Sequence, residues 1–135
     1  LPSGSETIDV LTGEITGGIG GTTYSVEYTT NGICPSQSVE TVLVNSVDDA
    51  SFVLTDYCAG SSNSASSAVT SGGTYVFNPL PSGSETIDVL TGEITGGIGG
   101  TTYSVEYTTN GVCVSSLIQN VLIYSTPSTG PIFHN

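Results

Sequence analysis

Acids dominate the side chains that could do chemistry here. The 135 residues hold 12 Asp and Glu, three Cys, one His, and no Lys or Arg. Nucleophilic catalysis by Ser or Cys requires a positioned base, and the sole imidazole, His134, stands in a Pro-, Ser- and Gly-bearing tail. Carboxylate pairs occur at Glu6/Asp9 and Glu85/Asp88. They come without aromatic sugar platforms or electrophilic partners, so acid, base and stabiliser do not converge. The glycines at 96–100 precede neither a lysine nor a helix and make no phosphate loop. No catalytic residue and no cofactor site is assigned, and the chain is expected not to be an enzyme.

Metal and thiol chemistry remain. Asp48 and Asp49, with Asp56 nearby, could offer oxygens to Ca²⁺ at a joint between units. Calcium takes six or more oxygens, and there is neither EF-hand spacing nor an RTX nonapeptide to complete the set. The reading favoured over calcium is a solvated turn whose aspartates cap local amides. Among the cysteines, Cys58 and Cys113 form the natural pair, 55 positions apart. A loop of that length corresponds to about 4 kcal/mol of stabilisation. Cys34 is then left over, its partner expected outside the chain. A Cys34–Cys58 bridge, or three unbridged buried thiols, are the rival readings. Disulfides would place the protein in an oxidising, extracytoplasmic setting.

The elements that must position these groups are organised by a repeat. Residues 80–111 restate residues 1–32 letter for letter, 79 positions on. Cys113 then matches Cys34, and Val121-Leu122 matches Val42-Leu43. A fixed period of this size signals tandem units. The expected division is a partial unit at 1–47, a complete unit at 48–126 and a connector at 127–135. Residues 1–47 contain no counterpart of 48–79. The partial unit is expected to be either part of a segment cut from a longer array or completed by strands from another chain; the first is favoured.

Within the complete unit, short alternating apolar runs separated by glycines predict an all-β fold. Strands are expected at 51–55, ending in 56–58, and at 68–70, 74–77, 86–89 and 93–95. The clearest lies around Tyr103, Val105 and Tyr107, which share one face. Asn110-Gly111 suits a type I′ hairpin turn into a partner strand spanning 112–124. Residues 59–66 are small and polar and read as a loop. Seven or so strands per 79 residues read as an immunoglobulin-like β-sandwich in tandem repeats. A unit of that size has a marginal core.

A net charge of −12 excludes nucleic acid as a partner, because no cation can displace phosphate counterions. It also removes attraction to anionic lipid. No apolar run reaches the length of a membrane span, so direct membrane insertion is not expected. No signal peptide is recognisable, so export would depend on targeting segments outside these residues.

The strings DDASFVLTDYCAG (48–60), GGTYVFNP (72–79) and TGEITGG…GGTTYSVEYTTNGVC (91–113) resemble the tandem repeats of very large cell-surface proteins of gliding Bacteroidetes, the SprB-type adhesins exported by type IX secretion. The likeness covers both units; the tail departs from it. The resemblance implies a cell-surface filament of chained immunoglobulin-like units, serving gliding and attachment. Its partners would be neighbouring repeats and, through other segments, the outer-membrane secretion and gliding machinery. The expected role is a structural spacer. Alternatives are a glycan- or protein-binding recognition module, whose loops should differ between units, and a filament subunit completed by strand donation.

Overall fold

The computed structural model describes residues 4–63 and 67–132, and these form β-strands, turns and loops without a helix. No helix long and apolar enough to cross a membrane occurs among the described residues. Two compact units divide the chain, Leu1–Val47 and Asp48–Asn135. Glycine, threonine and β-branched residues account for the class: they seat well on pleated surfaces and punctuate them with tight turns.

In the first unit, β1 (Thr7–Ile8) pairs antiparallel with β2 (Ile15–Thr16), and β3 (Thr22–Thr29) with β4 (Gln37–Val44). Each pair is its own two-stranded sheet.

The second unit has eight strands among the described residues. Its small pairs are β5 (Phe52–Val53) with β7 (Ser67–Ala68), and β9 (Thr86–Ile87) with β10 (Ile94–Thr95). The main sheet runs β6-β12-β11-β8, where β6 is Tyr57–Cys58, β8 Thr74–Phe77, β11 Thr101–Thr108 and β12 Ser116–Tyr124. Contacts to β11 are antiparallel, whereas β6 lies parallel on the outer edge of β12.

The core of the second unit sits on one face of this sheet. Strand alternation turns Tyr103, Val105 and Tyr107 inward beside Val121 and Ile123, and all five are buried. Residues of the segments 48–63 and 67–79 cover them. The Phe52 ring meets Tyr75 edge-on at 5.5 Å, Tyr75 lies 4.6 Å from Tyr107, and Phe77 lies 5.6 Å from Tyr103. Rings at such separations add about 0.5–1.5 kcal/mol per pair to the burial itself. Gly73 permits a close approach to backbone: a Cβ there would stand 2.1 Å from the carbonyl oxygen of Thr108.

Three local expectations are corrected. The run 51–58 is two strands in different sheets, because Asp56 turns its carboxylate onto the amide of Leu122, 2.8 Å away, and carries β6 across to β12. Asn110-Gly111 does not form a type I′ turn: neither residue has positive φ, and Thr108 pairs with Ser116 around the loop 109–115. The Gly111 amide instead donates to Asp48, at 2.9 Å. The strand expected at 86–89 ends at Ile87: Val89 is 51% exposed, and its carbonyl accepts from the amide of Tyr75.

Candidate functional site

The repeated acids come first, since they stand twice in the sequence. Glu85 Oε1 accepts the hydroxyl of Tyr103 at 2.7 Å, and that hydroxyl accepts the amide of Ile98 at 3.0 Å. Glu6, Tyr24 and Ile19 make the same relay at 2.8 and 3.0 Å. Each pins the glycine-rich loop to the start of the long strand. The Glu85 carboxyl is held below its usual range by its own backbone amide first and by the Tyr103 hydroxyl second. Glu6 behaves likewise, with Tyr24 in that role. Burial pushes the Tyr103 hydroxyl upward.

Asp88 and Asp9 serve turns. Asp88 Oδ1 accepts the amides of Leu90 and Thr91, both at 2.8 Å, and Asp9 those of Leu11 and Thr12 at 2.8 and 2.9 Å. Amides of the following turn, Thr91 before Leu90, lower the Asp88 carboxyl. Both kinds of carboxylate thus fix loops, Asp88 and Asp9 through backbone amides and Glu85 and Glu6 through a tyrosine hydroxyl, while the second oxygens of Glu85 and Glu6 are buried without a hydrogen-bond partner.

The aspartates considered for calcium are spread along one edge of the second unit. Asp48 reaches Gly111, Asp49 caps Ser51 at 2.9 Å, and Asp56 reaches Leu122 near the other end of β12. The three do not gather into a coordination shell, and no group of three or more Asp, Glu, His or Cys does so among the described residues.

The cysteines are also set apart. Cys58 is in register with Tyr124, at the end of β12, while Cys113 precedes the first residue of that strand and gives its carbonyl to the amide of Asp48. A strand rises about 3.3 Å per residue, so the length of β12 separates them, far beyond the ~7 Å Cα spacing a disulfide spans. The natural pair expected from the repeat phase is therefore not brought together. The parallel course of 48–58 beside 113–124 explains it, since both segments run the same way. Cys34 is exposed, and His134 lies outside the described residues.

Asn63 went unnoticed in a stretch read as a plain polar loop. It is buried, donating through Nδ2 to the carbonyl of Gly92 at 3.0 Å and accepting the amide of Ile94 at 2.8 Å. A lone Asn among serines gave no signal of this.

Two depressions complete the second unit. One of about 290 Å³ lies between residues 79–82, Glu85 and Tyr103. Another of about 450 Å³ is lined by Tyr57, Ser61, Glu93 and Gly97, among others. The Tyr57 hydroxyl is buried there with no hydrogen-bond partner, and burial pushes its ionisation up. In the first unit, the long-strand face that is covered in the second is partly open: Tyr28 is 68% and Val42 43% exposed, while Tyr24, Val26 and Val44 are half-buried.

No family model, curated protein or solved structure matches the chain.

Proposed function

We propose that the chain is a length of spacer from an extracellular surface filament, built of tandem immunoglobulin-like β-units and serving adhesion and gliding of the SprB type. Its function is reach, and no reaction is assigned to it. One observation carries this reading. Among the described residues, the repeated acids make the same local contacts in both units: the Glu–Tyr–amide relay and the Asp-capped turn beside the small strand pair. Such conservation of internal support suits a part that is copied for length. The immunoglobulin-like assignment draws support from the main sheet flanked by the parallel edge strand β6 and from the separate β5–β7 pair. Neighbouring repeats would be its immediate partners, with secretion and gliding machinery engaged by other segments.

Small-angle scattering on chains with increasing numbers of the 79-residue unit tests this. The maximum dimension should rise linearly with unit number; a constant or collapsing dimension overturns the spacer reading. A second reading, recognition of a hydroxyl-bearing ligand such as a glycan, rests on the orphaned Tyr57 hydroxyl beside Glu93. It requires that retention on a glycan array be lost in Tyr57→Phe and Glu93→Gln.

A further inference from the structure

The strands β3 and β11 are the same eight residues, TTYSVEYT. In the second unit, segments of 48–63 and 67–79 take both edges in part and the inner face of the hairpin: β8 pairs with the C-terminal half of β11, β6 with the end of β12, and Phe52, Tyr75 and Phe77 lie on the inner face. In the first unit, neither β3 nor β4 has a further strand beside it among the described residues. Tyr28 stands 68% exposed where Tyr107 is at 2%, and Val42 at 43% where Val121 is at 0%.

We propose that the uncovered face and edges of the β3–β4 hairpin dock an additional extended segment of the sequence of residues 48–79, one not already seated on a hairpin of its own. The second unit is the template, and the anchors it uses are all present. Asp48 holds the amide of Gly111 and donates its own amide to the Cys113 carbonyl, groups that recur at Gly32 and Cys34. The receiving loop is built alike, with Thr30 N donating to Ser36 O at 3.0 Å and Thr109 N to Ser115 O at 2.9 Å. Asp56 holds the amide of Leu122, which recurs as Leu43.

The differences are compatible with the same occupant. Val44 replaces Ile123, a loss of one methylene. Glu40 replaces Gln119, and Gln119 stays exposed in the covered unit, so the acid need not be desolvated. The segment of a second copy fits less well. Moving its 48–79 would bare its own 80–126 hairpin, exchanging equal contacts while incurring the cost of association. An anionic lipid surface is repelled by a chain of charge −12.

The test titrates a synthetic peptide of residues 48–79 into the reduced full chain. Binding is read by calorimetry and by hydrogen exchange in 33–47, a stretch whose sequence differs from 112–126. One peptide should bind per chain and slow exchange across 37–44. Val42→Glu and, separately, Tyr28→Ser should each weaken binding at least tenfold while leaving the urea transition of the second unit unchanged. A peptide carrying Phe52→Ser, Tyr75→Ser and Phe77→Ser should not bind. The proposal is overturned if the native peptide fails to bind, if the serine peptide binds equally, or if Val42→Glu and Tyr28→Ser leave binding intact. Protection confined to 80–126, or self-association of the chain through 37–44 without peptide, overturns it too.

Discussion

The hairpins β3–β4 and β11–β12 begin from one sequence and end in different environments. Both form the same ladder, Thr22 to Val44 and Thr101 to Ile123, and both lock their leading loop through a tyrosine and a glutamate. Tyr28 nevertheless lies open, while Tyr107 is walled by Phe52 and Tyr75 and donates its hydroxyl to Thr70. Local sequence therefore sets strand, register and loop; burial is conferred by a segment more than twenty residues away in the chain. Most of the free energy of a packed tyrosine comes from that removal from water, so two copies of one residue carry unequal weight.

The largest effect that would sharpen this contrast comes from tyrosine. Tyr107→Ala removes a buried ring and two hydrogen bonds and should cost about 3–5 kcal/mol in urea unfolding of the second unit. Tyr28→Ala, at the equivalent place, should change stability by no more than about 0.5 kcal/mol. Equal costs would show that the face of the first unit is covered in solution.

Gly73→Ala should cost about 1–3 kcal/mol or more, because the new methyl meets a backbone carbonyl that cannot swing away. Gly97 and Gly18 grade the same contrast. A Cβ at Gly97 would lie 2.0 Å from Ile123 Cδ1, and at Gly18 2.9 Å from Val44 Cγ2. Alanine should be tolerated better at 18, as measured by the loss of midpoint in each variant.

Asn63→Ala leaves the Ile94 amide and Gly92 carbonyl without their partner and should cost about 1–3 kcal/mol. The first unit has no residue equivalent to Asn63 among the described residues. A neutral Asn63→Ala would mean that the β9–β10 hairpin needs no staple.

The smallest effect concerns acid, and here the units should agree. Folded-state pKa values of Glu6, Glu85, Asp9 and Asp88 all lie below their ordinary ones. Their contribution is therefore present above the ordinary carboxylate range and is lost as pH falls through the lowered folded values. Stability followed downward from pH 6 should decline below about pH 4. Glu85→Gln and Glu6→Gln should both make that decline shallower. A change from one variant alone would show that the relays are not equivalent.

Strand alternation at 103–107 was legible because a half-buried strand writes its faces into the sequence with period two. Glycines were legible as the breaks between apolar runs, and at 92 and 96 the positive φ gives the reason, since that conformation suits glycine above other residues. The Asn110-Gly111 turn was misread because a dipeptide preference of the local chain yields to a tertiary bond, here Asp48 to Gly111. The Cys58–Cys113 pair was misread for a related reason: repeat arithmetic fixes which residues correspond, yet not which end of a strand a distant segment reaches.

The sequence alone determined the β class, the period of 79 and the identity of two local scaffolds, because turn chemistry and side-chain alternation act over a few residues. Only the tertiary structure decided which hairpin has a core. That outcome depends on where Phe52, Tyr75 and Phe77 come to rest, and burial is a property of the neighbours a residue acquires.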